Sequence, residues 1–340
     1  MNPKVHIVLL NWNGWEDTVE CLESVFRLDY DNFEVVVCDN DSKDGSLEKI
    51  KAWADGKLAA PLSSPSLAAL TFPPLLKPVS YIEYSRLASE HEALRGQSAQ
   101  LTLIQTGSNL GFAGGNNVGI RYALDQGADY VWLLNNDTVV DSDALAKLVE
   151  RASVDNNVGI VGSTLRFYGD PERLQALGGA TFIPWRCRAR PIGIGALYRE
   201  ISPAQQHEIE QQTAYVIGAS MLVSRSFLET VGLICEDYFL YYEELDWACR
   251  ASGKFKLAYA PGSYVFHKVG AAAGNGSLFS LGFMFRSRLR FMKTFFPHLL
   301  IATRFWLLVD GAKAAVKGRL REGLLAFSVA FSSVDFVKQP

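Results

Sequence analysis

Through the first third of the chain, apolar and polar positions fall into alternating blocks, each with its own period. Residues 6–10 form a short apolar run ended by Asn11, Trp12 and Asn13, after which residues 17–26 place Val19, Leu22, Val25 and Phe26 on one helical face. Residues 33–38 are a second, β-branched run closed by Asp39, Asn40, Asp41 and Ser42, and residues 46–53 return to a helical period. This β-α-β-α order predicts a parallel sheet with crossover helices. Ligands of such sheets bind beyond the carboxyl ends of the strands, so residues 11–13 and 39–42 are expected on one rim.

The pattern breaks over residues 55–100, where Pro61, Pro65, Pro73, Pro74 and Pro78 exclude regular structure over most of the segment. It reads as a proline-rich insertion ending in a short helix near 83–94, either a tolerated excursion or a lid. Order returns at 101–105, and a glycine-rich loop at 109–119 is expected to bring backbone N–H groups close to an anion or sugar before a helix to about residue 126. Residues 130–134 read as a central strand ending in Asn135, Asn136 and Asp137. Further strands are expected at 159–167, 178–183, 215–223 and 255–260, and a helix is expected to open within 236–247 and run through Cys249.

Charge and cysteine content narrow the function classes. A net charge of −3 argues against nucleic acid as a partner. Cys21, Cys38, Cys187, Cys235 and Cys249 are scattered, with no C-x-x-C pair, which predicts a reduced, cytoplasmic chain. The N-terminal apolar run is too short for a signal sequence and reads as a buried strand. The stretch 299–309 is interrupted by Arg304 and is shorter than the roughly 18–20 residues of a membrane span.

Candidate chemistry gathers at strand and helix ends. Asp137 is either a cap for the helix that follows or a ligand presented to solvent; Asn135 and Asp137 alternate, so both lean one way, and their oxygens suit Mg²⁺ or Mn²⁺. His267, closing a short apolar strand, is a structural histidine or an additional metal ligand. Glu243, Glu244 and Asp246 form either an acidic first turn that complements the helix dipole or, next to Tyr241, Tyr242 and Trp247, a partly buried group with a carboxylate raised toward use as a base. Glu243 and Glu244 project about 100° apart on a helix, so one is expected in the cleft and the other behind it.

Taken together, VHIVLLNWNGWEDTVECLESV, FEVVVCDNDSKDGS, NLGFAGGNNVGI, YVWLLNNDT, YVIGASMLVSR, YFLYYEELDWACRASG and the HKVG after them resemble, in order, the family 2 glycosyltransferases of GT-A fold, particularly the rhamnosyltransferase-like bacterial subgroup. The resemblance covers most of residues 4–270. It implies an α/β nucleotide-binding sandwich, with a mostly parallel central sheet and flanking helices over residues 1–275, followed by a C-terminal helical extension, 276–340. It also implies that Asn11 and Asp39 surround the nucleobase, and that Asn109, Gly115, Asn116, Asn135 and Asn136 line nucleotide and donor sugar. In the same comparison Asp137 and His267 hold a divalent Mn²⁺ or Mg²⁺, with Asn135 standing where the family has its first carboxylate. Glu244 falls on the catalytic base, one methylene longer than the usual aspartate, with Glu243, Asp246 and Trp247 supporting it on the acceptor side.

The expected reaction is inverting transfer of rhamnose or another hexose from a nucleoside diphosphate to an acceptor hydroxyl, saccharide or lipid-linked, in cell-envelope polysaccharide or glycolipid synthesis. A nucleotidyltransferase would need basic residues near 109–119, which offers none before Arg121; a non-catalytic nucleotide-sugar-binding protein would have no need of both Asp137 and Glu244; a Rossmann dehydrogenase would need a G-x-G-x-x-G after the first strand. Finally, Arg286, Arg288, Arg290, Lys293, Arg304, Lys313, Lys317, Arg319 and Arg321 are interleaved with Phe283, Phe285, Phe291, Phe295, Phe296, Phe305 and Trp306. Over 283–321 this mixture suits either peripheral docking at the inner face of the cytoplasmic membrane or packing on the catalytic domain.

Overall fold

The computed structural model describes residues 2–89, 99–268 and 277–333. Its first strands and helices follow the apolar blocks: β1 (Val5–Asn11), α1 (Trp15–Val25), β2 (Phe33–Asp39), α2 (Ser46–Ala54), β4 (Leu101–Gln105) and β5 (Tyr130–Asn135). β1 pairs in parallel with β2 and β5, and β2 with β4. The register sets Asn11 against Asp39, Leu10 against Asn135 and Asp39 against Gln105, so the carboxyl ends of four strands share one rim.

The sheet extends on both sides. β3 (Tyr81–Ser85) adds in parallel to β4 at one edge, followed by the short α3 (Arg86–Ser89). The proline-rich segment therefore ends in an edge strand and one helical turn, and the rest of the helix expected to 94 lies outside the described residues. The preceding stretch lies against α1, where buried Glu23 receives the Leu75 backbone N–H at 2.9 Å, the Trp53 indole N–H at 2.9 Å and Lys77 Nζ at 3.3 Å. Prolines prevent a ladder, so side-chain acceptors on α1 satisfy this backbone instead.

On the other side of β5 come β12 (Ser220–Ser224), β7 (Val158–Phe167), β13 (Lys256–His267) and the short β6 (Thr138–Val140), with β8 (Asp170–Leu177) pairing antiparallel to β7. β8 was not expected, because its polar start, Asp170-Pro-Glu-Arg, carries no strand period. β13 unites two expected strands through a register shift between Ala260 and Tyr264. The strand expected at 215–223 is split into β11 (Tyr215–Val216) and β12, and β11 joins β9 (Gly179–Ile183) and β10 (Arg188–Pro191) in a small separate sheet.

The glycine-rich stretch is the largest correction to the sequence reading. Instead of a loop, residues 111–125 form α4 (Gly111–Asp125), packed on β1 and β2. A Cβ on Gly115 would meet Leu10 Cδ1 at 2.4 Å, and one on Gly119 would meet Val8 Cγ1 at 2.4 Å. These glycines let a helix lie unusually close to the sheet, and that tertiary contact overrides their low helix propensity. α5 (Ala144–Ser153), α6 (Pro203–Gln212), α7 (Arg225–Val231) and α8 (Glu243–Ala251) complete the layers. Asp137 is not a helix cap: α5 begins seven positions on, after Asp143.

The C-terminal part is α9 (Leu278–Phe295), α10 (Leu300–Val316) and α11 (Leu320–Phe331). α10 and α11 cross closely at Gly311 and Gly323, where a Cβ on Gly311 would stand 3.1 Å from the Gly323 carbonyl oxygen. Phe285 and Leu289 of α9 pack against Ala326 and Val329 of α11, while Phe291 meets Phe182 and Tyr242 at ring distances of 5.5 Å. Of the aromatic residues expected at a membrane surface, Phe285 and Phe291 are thus buried, Phe283, Phe295, Phe296 and Trp306 are half-buried, and Phe305 is exposed. No helix among the described residues is long and apolar enough to cross a membrane.

Candidate active site

A cavity of about 560 Å³ opens at the rim where β1, β2 and β5 end. Asn11 and Asp39 are buried at that rim and bound to each other, Asn11 Nδ2 donating to Asp39 Oδ1 at 2.7 Å. Thr18 Oγ1 donates to Asn11 Oδ1 at 2.9 Å and the Ser42 N–H to Asp39 Oδ2 at 3.1 Å. Neither side chain lines the cavity; their neighbours Leu10, Trp12 and Asn40 do. Asn40, which sequence reading left without a role, donates from Nδ2 to Asn109 Oδ1 at 2.9 Å and accepts the Leu110 N–H at 3.0 Å.

These bonds change what the start of α4 can do. The N–H groups of Leu110, Gly111 and Phe112 are taken by Asn40 Oδ1, Asn109 Oδ1 and the Phe239 carbonyl. Asn109, Gly111 and Phe112 reach the cavity, but those three amides are spent on local structure rather than offered to an anion. Gly115 faces Leu10, and Asn116 is buried with its amide donating to the Phe112 carbonyl at 2.9 Å, so the structure does not bring either to the cavity.

Asn135, Asn136, Asp137 and His267 do meet there. β13 pairs with β6 so that His267 lies opposite Thr138, one residue beyond Asp137. His267 Nε2 stands 3.1 Å from Asp137 Oδ1 and 3.3 Å from Asn135 Nδ2. Its Nδ1 lies 3.0 Å from Gln175 Oε1, a contact that orients the ring with Nε2 toward the carboxylate. Burial pushes the Asp137 carboxyl up, yet the His267 hydrogen bond and charge outweigh it and hold the group below its ordinary value. An oxygen anion and an imidazole nitrogen converging in this way fit a Mg²⁺ or Mn²⁺ ion. Among the described residues no third histidine, cysteine, aspartate or glutamate joins them. Asn136 turns its amide to Thr18 Oγ1 at 2.9 Å and braces the rim.

The facing wall carries the carboxylates. Glu243 and Glu244 open α8 and both line the cavity, rather than one facing it and one backing it. Glu244 Oε1 accepts the Gly218 N–H at 3.2 Å, which explains the broken strand: a Cβ on Gly218 would stand 2.5 Å from that oxygen. Burial raises the Glu244 carboxyl against this hydrogen bond. Glu243 is raised well above the ordinary range, first by burial and then by the charge of Glu244, and its buried Oε2 has no hydrogen-bond partner among the described residues. Asp246 and Trp247 do not reach the cavity: Asp246 pairs with Arg250 at 2.7 Å, and Trp247 packs on Phe227 with its indole N–H on the Gly232 carbonyl at 2.8 Å.

The turn before α8 is strained and externally held. Tyr241 and Tyr242 have φ of +69° and +75°, conformations that cost non-glycine residues on the order of 1–3 kcal/mol each. α9 secures them: Tyr241 and Ser280 hydroxyls lie 2.6 Å apart, Ser287 Oγ donates to the Leu240 carbonyl at 3.0 Å, and the Phe239 ring stacks on Phe283 at 4.6 Å. Ser277 and Phe279 at the start of α9 also line the cavity. The sequence gives no local signal for this, since it depends on a helix roughly forty positions away.

With this geometry established, the comparisons are consistent. The Glycosyl transferase family 2 profile matches residues 6–61 and 84–232, more than half of the chain, which therefore belongs to that family. Two curated relatives are similar: the low-salt glycan biosynthesis hexosyltransferase Agl10 of Haloferax volcanii, 29% identical over 154 residues, and the dTDP-rhamnosyl transferase RfbF of Shigella flexneri, 24% identical over 148. Each match spans 44% of this chain and 45% of the relative, so the chain matches less than half of their length. Among solved structures, the mannosyltransferase PcManGT of Pyrobaculum calidifontis, in complex with GDP-Man and Mn²⁺, matches at TM-score 0.52 and 17% identity over 98% of this chain and 77% of its own. GalNAc-T7 with UDP, GalNAc and Mn²⁺ matches at TM-score 0.58 and 14% identity over 96% and 56%. The fold is that of GT-A glycosyltransferases.

Proposed function

We propose that the chain is an inverting, metal-dependent glycosyltransferase moving a hexose, rhamnose among the candidates, from a nucleoside diphosphate to an acceptor hydroxyl. The observation that supports this most is one cavity with the Asp137–His267 pair on one wall and Glu243 and Glu244 on the other. In this reading Trp12, Asn40 and Asn109 bound the nucleotide end, with Asn11 and Asp39 fixing their strand ends from behind. Among the described residues no lysine or arginine lines the cavity. A diphosphate entering an acidic cavity needs a counter-charge, and Mg²⁺ or Mn²⁺ held by Asp137 and His267 would supply it, neutralising charge on the leaving group. The same lack of cations disfavours a nucleotidyltransferase, which must hold a triphosphate.

Glu244 takes the acceptor proton as the new bond forms, its carboxylate aimed by the Gly218 N–H. One base without a separate nucleophile corresponds to a single displacement and inversion at the anomeric carbon. The acceptor, saccharide or lipid-linked, enters beside Phe239–Tyr241 and Phe279, which makes residues 276–340 part of the working unit of the 1–275 catalytic domain. A role in cell-envelope glycan synthesis and peripheral attachment to the cytoplasmic membrane belong to the same reading. A thermal-shift screen of UDP-, dTDP- and GDP-sugars with and without Mn²⁺ tests it: one donor should stabilise the protein only with metal. Equal shifts in EDTA would remove the metal from the proposal, and product NMR showing the donor's own anomer would remove inversion.

A further inference from the structure

The C-terminal aromatic residues that face inward leave a different surface outside. The turn between β9 and β10 carries Trp185 and Arg186, both exposed, and it is seated on α10 by Cys187 Sγ 3.0 Å from Thr303 Oγ1. Trp185 meets Trp306 at 5.9 Å and Trp306 meets Phe305 at 5.5 Å, while the Arg186 guanidinium lies 4.5 Å from the Trp185 ring and 5.6 Å from the Trp306 ring. Phe305 is 57% exposed, and Ile301, one turn before it, is 84% exposed. Opposite Phe182, which is packed against α9, the other face of the hairpin presents Arg188 and Arg190, exposed and without an ion pair among the described residues.

We propose that this hairpin tip and the outer face of α10 form a docking surface for an anionic lipid bilayer. Two segments more than a hundred positions apart converge to make it, so it is absent from any single amphipathic stretch of sequence. Indole and guanidinium groups together suit the headgroup region, where a ring can be half immersed while its cation meets lipid phosphate. Ile301 and Phe305 supply the apolar footing, and Arg186, Arg188 and Arg190, which make no ion pair among the described residues, supply the charge complement of phosphatidylglycerol or a similar acidic lipid. The surface lies close to the reaction site: the Tyr242 hydroxyl donates to the Cys187 carbonyl at 3.4 Å, and β9 pairs with β11, which leads directly into the cavity wall at Ile217 and Gly218.

Flotation of the full chain with vesicles of phosphatidylcholine alone, or mixed with phosphatidylglycerol, tests this without donor or acceptor, so its outcome is independent of the proposed transfer. Binding should require phosphatidylglycerol and weaken with salt. Arg188→Gln with Arg190→Gln should weaken it roughly 25-fold, about fivefold per cation, and Phe305→Ser should weaken it further. All of these positions are exposed, and an unchanged melting temperature would show that the variants fold. Brominated acyl chains should quench tryptophan fluorescence in the parent but less in Trp185→Phe/Trp306→Phe. No association with acidic vesicles at low salt would overturn the proposal. So would binding indifferent to these substitutions, or a dimer in sedimentation that Phe305→Ser dissociates, which would make the surface a contact between copies of the chain.

Discussion

Where the strand ends meet the cavity, each polar side chain already has a partner: Asn11 holds Asp39, Thr18 and Asn136 converge on Asn11, and Asn40 closes the start of α4. Across the cavity the situation is reversed. Glu243 Oε2 has no partner among the described residues, two carboxylates stand side by side with raised pKa values, and the turn that carries them is strained. Satisfied networks fix a shape, whereas unsatisfied buried groups persist only where something compensates them or uses them. Apart from the Asp137–His267 pair, the first wall is therefore a frame whose disruption costs stability. The second is a working surface, and disrupting it should cost rate instead.

The largest expected effect belongs to the second wall. Glu244→Gln removes a proton acceptor without removing volume and should lower kcat about 10²–10⁴-fold, with donor affinity by titration nearly unchanged. Activity within threefold of the parent would move the base elsewhere. Gly218→Ala places a Cβ against the Glu244 oxygen and should cost about 10²-fold by displacing it. Unaltered kinetics in a correctly folded Ala variant would show that the Gly218 contact does not aim the base.

The first wall should respond differently. Asn11→Ala orphans Asp39 Oδ1 and the groups that donate to Asn11, and should destabilise the fold by about 1–3 kcal/mol in urea unfolding. If stability held and only donor binding fell, Asn11 would be a ligand contact rather than part of the frame. Tyr241→Phe, which removes only the hydroxyl that meets Ser280, should lower kcat several-fold with donor affinity intact. A loss of donor affinity in parallel would mean that α9 supports the whole cavity and not the turn alone.

The same division explains how much was legible in the sequence. β1, β2 and β5 are apolar runs with polar ends, so their order and the rim carrying Asn135, Asp137 and His267 could be read from pattern and resemblance. Glycines at 111–119 read as a loop because propensity penalises them in helices, whereas Leu10 and Val8 need the space that Gly115 and Gly119 leave. Asp246 and Trp247 looked like part of the site because they adjoin Glu244, yet each points into a contact of its own. Phe239, Tyr241 and Phe279 were not assigned to the cavity because their placement depends on α9 folding back. Composition at the C-terminus showed aromatic and basic residues interleaved, but not which face would hold them.

The smallest and sharpest test is the sign of Glu243→Gln. The parent carboxyl is raised in the folded protein by burial and by Glu244. At low pH folded and unfolded chains both hold the proton, so the group contributes no penalty. As pH climbs through the ordinary carboxylate range the unfolded chain loses its proton while the folded chain keeps it. The folded state then binds more protons, and parent stability declines with rising pH until the raised value is passed. Glutamine has no proton to lose and retains the shape of the neutral acid. Glu243→Gln should therefore match the parent at acid pH and become progressively more stable than it toward neutral pH, measured by urea midpoints across the range. Glu244 remains titratable in both proteins, and because the two carboxyls are coupled, the difference reports residue 243 together with its interaction with Glu244. A difference that is flat, or that favours the parent at neutral pH, would mean that Glu243 is ionised and paired in the folded chain, and that the contrast between the two walls does not hold.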